Sequence, residues 1–322
     1  MADNEYTYAV ARIRSKELTL LNSQAVEQLL ACKTYEECLH ILADRGWDTG
    51  TSGGAEGMLA AERDKTWSLI AELAGDTSEF NVFLYTNDFH NLKAAIKQVC
   101  MQTEVPHIFF SHGTVAPNTI LKAVQEHDFS RLPKRMQAAG QEAFDTLLHT
   151  HDGQRCDVII DRAALESVYA AGKESENEVI REYAELTVAE ADIRIAVRAA
   201  RTGKKLEFLE RALAPCHTLD VKRLAHAAVS GINSICDYLT ATSYDSAVPA
   251  LKESLSAFER WCDNLLIRRI RPQKYNPFTV APLAAYLLAR ENEIKIVRII
   301  LSGKLNQLSD ASVRERVRET YV

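Results

Sequence analysis

Residues Leu288–Leu308 read LARENEIKIVRIILSGKLNQL, and the class of the whole chain turns on them. The centre, IKIVRIIL, is dense in β-branched side chains and taken alone fits a buried strand. The flanks carry Arg290, Glu291, Glu293 and Lys304, which suit a helix. Periodicity does not separate the two readings for a short apolar run. Repetition does. A triplet of acid or Asn, then Ile or Leu, then Lys or Arg occurs at Asn91-Leu92-Lys93, Asp192-Ile193-Arg194 and Glu293-Ile294-Lys295, at an even spacing of 101 residues. The surroundings match too: NLKAAIKQV, DIRIAVRAA and EIKIVRIIL. The first two copies are rich in Ala, Lys and Arg, which favour helix, so the third is expected to be helical as well. Its apolar residues point to nearly every side, which implies burial on most faces.

A weaker echo links TYEECL, from Thr34, with SYDSAV, from Ser243. Together the repeats predict a triplicated helical unit of about one hundred residues. The expected layout is a single all-α body over 1–322 with approximate units 5–127, 128–215 and 216–322.

The remaining segments agree with an all-helical reading. Residues 15–46 predict a helical pair with Ser23 as a cap, and TGTSGGAEG at 49–57 predicts a loop. Further helices are expected at 58–74, 88–102, 117–127 and 133–149. DVIIDRAALESVYAAG predicts a helix that opens on Asp157 and stops at Gly172. A charged helix should fill 174–201 and end at Gly203. One helix should run from Pro249 to Pro272, with Leu251, Leu255, Phe258, Cys262 and Leu265 on one stripe. The helix of the opening stretch should start near Pro282 and stop at Gly303.

Bulk properties narrow the function. The chain has 322 residues, 47% hydrophobic and 25% charged, ordinary values for a globular protein. A net charge of −6 gives no support to nucleic-acid binding. The charge is uneven: Asp161–Asp192 holds nine acids and three bases, while RRIRPQK, Arg268–Lys274, holds four bases and no acid. Such patches fit electrostatic docking between proteins, and equally a solvated helix face. The seven cysteines show no paired CxxC knuckles, which points to a reducing compartment without a disulfide framework or zinc ribbon. MADNEYTYAVARIR offers no apolar signal core. The longest nearly apolar run, Pro277–Ala289, has thirteen residues and two prolines, short of the roughly 20 that a spanning helix needs.

Catalytic motifs are missing. Gly53, Gly54 and Gly57 precede no GK[ST], so no phosphate loop is expected. Glu37–His40 and Glu104–His107 have ExxH spacing, which a di-iron bundle could use, but Pro106 breaks the second. His149, His151 and Cys156 form a loose cluster without a fourth ligand. No catalytic residue, cofactor or metal is expected.

The segment Asn276–Val322 resembles the C-terminal signature of the C subunit of prokaryotic V-type (V/A-type) ATPases, whose eukaryotic counterpart is the d subunit. The resemblance rests on Pro282, Tyr286-Leu287-Leu288, Glu291-Asn292-Glu293-Ile294-Lys295, Arg298-Ile299-Ile300-Leu301, Gly303-Lys304-Leu305 and Tyr321-Val322. HDGQRCDVIIDRAALESV and YAVARIRSKELTLLNSQAVEQLL are also similar to the family. The chain departs from it at Phe278-Thr279-Val280-Ala281, where the family is Gly-rich, and in an expanded loop at 49–57.

The resemblance implies an all-α funnel of three similar units around a pseudo-threefold axis. It implies a non-catalytic rotor subunit of the central stalk, peripheral at the cytoplasmic face of the membrane. Its partners would be the membrane proteolipid ring and the central axle subunits of the ATP-hydrolysing head. The basic residues Arg268, Arg269, Arg271 and Lys274 are the candidate interface, against a competing reading as cations that cap a helix end. The alternative functions are another helical-repeat adaptor or an all-α metalloenzyme. Arg290, Glu291 and Glu293 are expected to make contacts between helical units.

Overall fold

The computed structural model describes residues 6–50, 53–103 and 105–322, and among them the regular structure is helical, with no strand. In chain order the α-helices are α1 (Thr7–Glu17), α2 (Ser23–Ala31), α3 (Tyr35–Asp44), α4 (Gly54–Ala74), α5 (Tyr85–Met101), α6 (Pro117–Gln125), α7 (Lys134–Thr150) and α8 (Gly153–Glu174). They continue with α9 (Glu178–Thr202), α10 (Leu206–Ala212), α11 (Val221–Ser230), α12 (Ile232–Leu239), α13 (Val248–Glu253), α14 (Leu255–Ile270), α15 (Ala281–Leu305) and α16 (Asp310–Arg314). The chain forms two compact units. One comprises the residues through Thr77, Asn177–Val179 and Pro249–Val322; the other comprises Ser78–Glu176 and Ile180–Val248.

The first unit is built on α15. The opening stretch is helical, as its repeats imply, and its helix runs 25 residues, about 38 Å. Seventeen of the 25 are buried, including an unbroken run from Ala281 to Arg290. Ile294, Ile296, Val297, Ile300 and Leu301 share a core with Leu21, Ala25, Val26 and Leu29 of the α2 region, Cys38 and Leu42 of α3, and Met58 and Leu59 of α4. The β-branched excess is thus explained by packing on several sides, which overrides a weak strand propensity. In the second unit, Phe89, Leu92 and Ile96 of α5 pack with Ile120 and Val124 of α6, Met136 and Phe144 of α7, and Cys156 and Ile160 of α8.

The three triplets lie in α5, α9 and α15, and each begins with a buried polar residue: Asn91 and Asp192 at 0% exposure and Glu293 at 5%. Each of these side chains reaches the backbone of a loop that leads into a short helix. Asn91 accepts from Phe110 N at 2.8 Å and donates to Phe110 O at 2.9 Å, ahead of α6. Asp192 Oδ1 accepts from Ala214 N at 3.0 Å, ahead of α11. Glu293 Oε2 accepts from Leu21 N, ahead of α2. A polar group at the triplet head therefore satisfies backbone donors that burial would otherwise leave costly.

Several helix boundaries differ from the sequence expectation. Asn22, not Ser23, caps α2, accepting from Ala25 N at 2.9 Å. Asp152, not Asp157, caps α8, with Oδ1 3.0 Å from both Gln154 N and Arg155 N. The expected 249–272 helix is broken in two. Ser254 is extended (φ −168°, ψ 163°) and its hydroxyl accepts from Ala257 N at 3.0 Å, so it caps α14 instead of continuing α13. Leu251, Phe258 and Cys262 of the expected stripe are buried, while Leu255 and Leu265 are half-buried. The loop expected at 49–57 gives way to α4 at Gly54; Thr51 and Ser52 lie outside the described residues.

Gly172 and Gly303 do not end their helices; both lie inside them. A Cβ on Gly172 would overlap Ala184 Cβ of α9, and one on Gly303 would overlap Val313 of α16. These glycines serve close packing, not chain reversal. Gly172→Ala is accordingly expected to destabilise the protein by about 1–3 kcal/mol, read from the shift of a urea unfolding curve. Adding Ala184→Gly should recover part of that loss, a non-additive coupling that independent sites would not show.

Candidate functional site

The basic cluster sits where α14 ends. Arg268 and Arg269 occupy its last turn, Arg271 follows as the C-cap, and from there the chain continues as a 3-10 turn, Arg271–Tyr275, with Pro272 near its start. The last residues of the chain run past this end and are tied to it. Arg268 Nε donates to Glu319 Oε1 at 2.9 Å, and Arg271 Nη2 donates to Thr320 O at 2.7 Å. Lys274 Nζ stands 4.7 Å from the centre of the Tyr321 ring, within cation–π range. Arg269, half-buried in the same turn, also has an interaction partner.

The tail is fastened from its own side as well. Glu319 N donates to Asn264 Oδ1 and Arg318 Nε donates to Asp263 Oδ2, each at 2.8 Å. Asn292 Nδ2 of α15 donates to Glu319 O at 2.9 Å. Tyr321 is 3% exposed, and its hydroxyl donates to Glu17 Oε1 at 3.3 Å. Burial pushes that phenol up. Arg268 holds the Glu319 carboxyl below the usual range, while burial, with Arg271 and Arg14 nearby, lowers the Lys274 ammonium. The cluster thus has internal work in anchoring the tail, and Arg268, with half its side chain exposed, still presents charge to solvent.

A second surface feature lies in the second unit. A groove of about 1290 Å³ runs between α7, α8 and α10. Ala138, Ala139, Ala163 and Ala170 line it together with Val158, Ile159 and Phe208, and Arg155 and Lys204 are among its charged residues. The sequence reading missed this groove. Its signal was the alternation of alanines with charges along α7 and α8, which puts little side-chain bulk on one face.

The remaining motifs are structural. Glu37 Oε2 accepts from Lys33 N at 2.7 Å at the start of α3, while His40 is exposed. Glu104 lies outside the described residues. His151 caps α7 in the left-handed region (φ 54°), whereas Cys156 is buried in the α8 core. Among the described residues no three metal-ligating side chains converge, and no helix is long and apolar enough to cross a membrane. Arg290, Glu291 and Glu293 all have partners within the first compact unit. Arg290 pairs with Glu293, and Glu291 takes two hydrogen bonds from Arg63 of α4, at 2.7 and 2.8 Å.

Because the Arg268–Glu319 pair is exposed, it is worth about 0.2–1 kcal/mol. Arg268→Glu should therefore leave the fold intact while raising hydrogen exchange in residues 315–322. Adding Glu319→Arg should restore protection. An unchanged exchange pattern in the single variant would show that the tail does not depend on this pair.

Comparison with known proteins gives these surfaces a context. The model of the ATP synthase (C/AC39) subunit family matches residues 9–316. The chain is 22% identical to the C subunit of the V-type sodium ATPase of Enterococcus hirae, over 98% of this chain and 99% of that one. It is 22% identical to the C subunit of the V-type ATP synthase of Thermus thermophilus, with the same coverage, and 24% identical to the C subunit of the A-type ATP synthase of Desulfurococcus sp., over 98% and 91%. With an all-α fold and a family match from the first helix into the C-terminal tail, the chain belongs to the ATP synthase (C/AC39) subunit family.

Proposed function

We propose that this protein is a non-catalytic central-stalk subunit of a V/A-type rotary ATPase. It acts as a socket that couples the axle of the ATP-hydrolysing head to the membrane proteolipid ring, at the cytoplasmic face of the membrane. The observation that carries this reading is the family match over residues 9–316. A socket must pass torque without deforming, and close-packed helices with little free volume supply that stiffness. Three approximate units, 5–127, 128–215 and 216–322, arranged with pseudo-threefold symmetry as a funnel, would offer one rim to the axle and one base to the ring. The shared design of Asn91, Asp192 and Glu293, each fixing a loop from a long helix, supports the triplication.

The ring need not share threefold symmetry. Residue-by-residue matching would then be frustrated, and distributed charge over a broad interface, above about 1,000 Å², should carry the contact. Arg268, Arg269, Arg271 and Lys274 are the proposed contribution from this chain, exerted through the charge left after the tail is anchored.

Tagged protein purified from detergent-solubilised membranes should bring down proteolipid and axle subunits, and recovery without either would refute the assignment. The isolated chain should hydrolyse no ATP through repeated purification. Reversing charge at Arg268 and Arg271 together should weaken assembly and flatten its salt dependence; unaltered assembly with an intact fold would remove the basic cluster from the interface.

A further inference from the structure

The three triplet heads hold their loops with three different chemistries. Asn91 uses a neutral amide. Glu293 uses a carboxylate beside Arg290. Asp192 has a carboxyl group with neither advantage. It is fully buried, Oδ1 takes a single hydrogen bond from Ala214 N, and no protein group among the described residues reaches Oδ2. Its partner Ala214 belongs to an apolar cluster with Leu165 of α8 and Val188 and Ala191 of α9, against which Ile195 packs. An ionised carboxylate with one donor in such surroundings is strongly disfavoured.

Among the described residues no charged group hydrogen-bonds Oδ2. Arg162 of α8 is the cation that acts on Asp192, but its own donors go to Glu166 Oε1 at 2.8 Å and to Glu210 O and Arg211 O at 2.9 and 3.3 Å. In α10, Arg211 is taken by Glu207. In α9, Glu185 adds like charge, and Arg194 pairs with Glu190 at 3.7 Å. From the loop, Cys216 presents a thiol that burial pushes up to about 12 and so keeps neutral, while His217 is exposed. Tyr169 of α8 is likewise pushed up by burial.

We propose that Asp192 holds the Ala214 end of the loop of residues 213–219 as a neutral carboxylic acid, and that loss of its proton frees that end: α9 carries a proton-operated latch. Burial pushes the carboxyl up to about 8, against the opposing pull of Ala214 N–H and Arg162. Hydrating the anion requires water at Oδ2, and water enters only when the loop parts from α8 and α9. Glu185 is the second fastening, accepting from His217 N at 3.1 Å and from Thr218 N at 2.7 Å. It keeps the loop tethered at its far end, so the motion is confined to residues next to Ala214. The direction follows from linkage. The open loop releases the Asp192 proton near the ordinary value of about 4 and the closed loop near 8, so opening grows as pH rises between these limits and is level above them.

The test is hydrogen exchange on the full chain between pH 5 and 8, corrected for the intrinsic pH dependence of exchange. In the unaltered protein the protection of Ala214 and its neighbours should fall by up to tenfold per pH unit. In Asp192→Asn, which copies the amide found at Asn91, protection should stay level. Parallel profiles in the two proteins would overturn the latch. Should the variant not fold, the carboxyl 13C shift of Asp192 in the unaltered protein decides: a midpoint near 8 supports the latch, and one in the ordinary carboxylate range overturns it.

Discussion

The buried pair of Arg290 and Glu293 is the interaction on which the first unit depends. Both residues lie in a helix with 17 of its 25 residues buried, where unpaired charge would cost several kcal/mol. Each charge is answered by the other, and their remaining valences tie distant sequence together. Glu293 takes the Leu21 amide, while Arg290 donates to the Tyr286 hydroxyl at 3.2 Å and reaches Thr19 Oγ1 at 3.4 Å. Burial pushes the Glu293 carboxyl up despite these partners. The pair therefore gains little as raw stability. Its contacts join the segment after α1 to α15, so the first and last parts of the chain meet there.

Much of this was legible in the sequence because it is repeated there. The spacing of Asn91, Asp192 and Glu293 marked three comparable helices, and it identified IKIVRIIL as helix where local propensity pointed to strand. The role of these triplet heads was not legible, since each partner lies in a loop whose position only the fold determines. Gly172 and Gly303 misled for a related reason. A glycine after a periodic stretch usually signals a helix end, and only the nearness of Ala184 and Val313 shows that the missing side chain is what matters. At Ser254 a local rule applied after all, but its competition with the backbone was hidden inside a long amphipathic pattern.

The candidate interface divides in the same way. That α14 ends in cations at Pro272 could be read directly. That Glu319, Thr320 and Tyr321 would come to meet them could not, because pairs some fifty residues apart leave no periodic trace. The groove on α7, α8 and α10 was hidden by composition, since alanine is as common on an exposed helix face as in a core.

The overlap that Gly172 avoids with Ala184 has a mechanical meaning. Two rods that can slide past each other bend as two thin rods. Pinned together at a point where their surfaces cannot separate or slip, they bend as one thicker beam. The absence of one methyl group lets the α8 and α9 backbones meet closely just beside the turn that joins them, and so places the pin where shear between the two helices would otherwise begin.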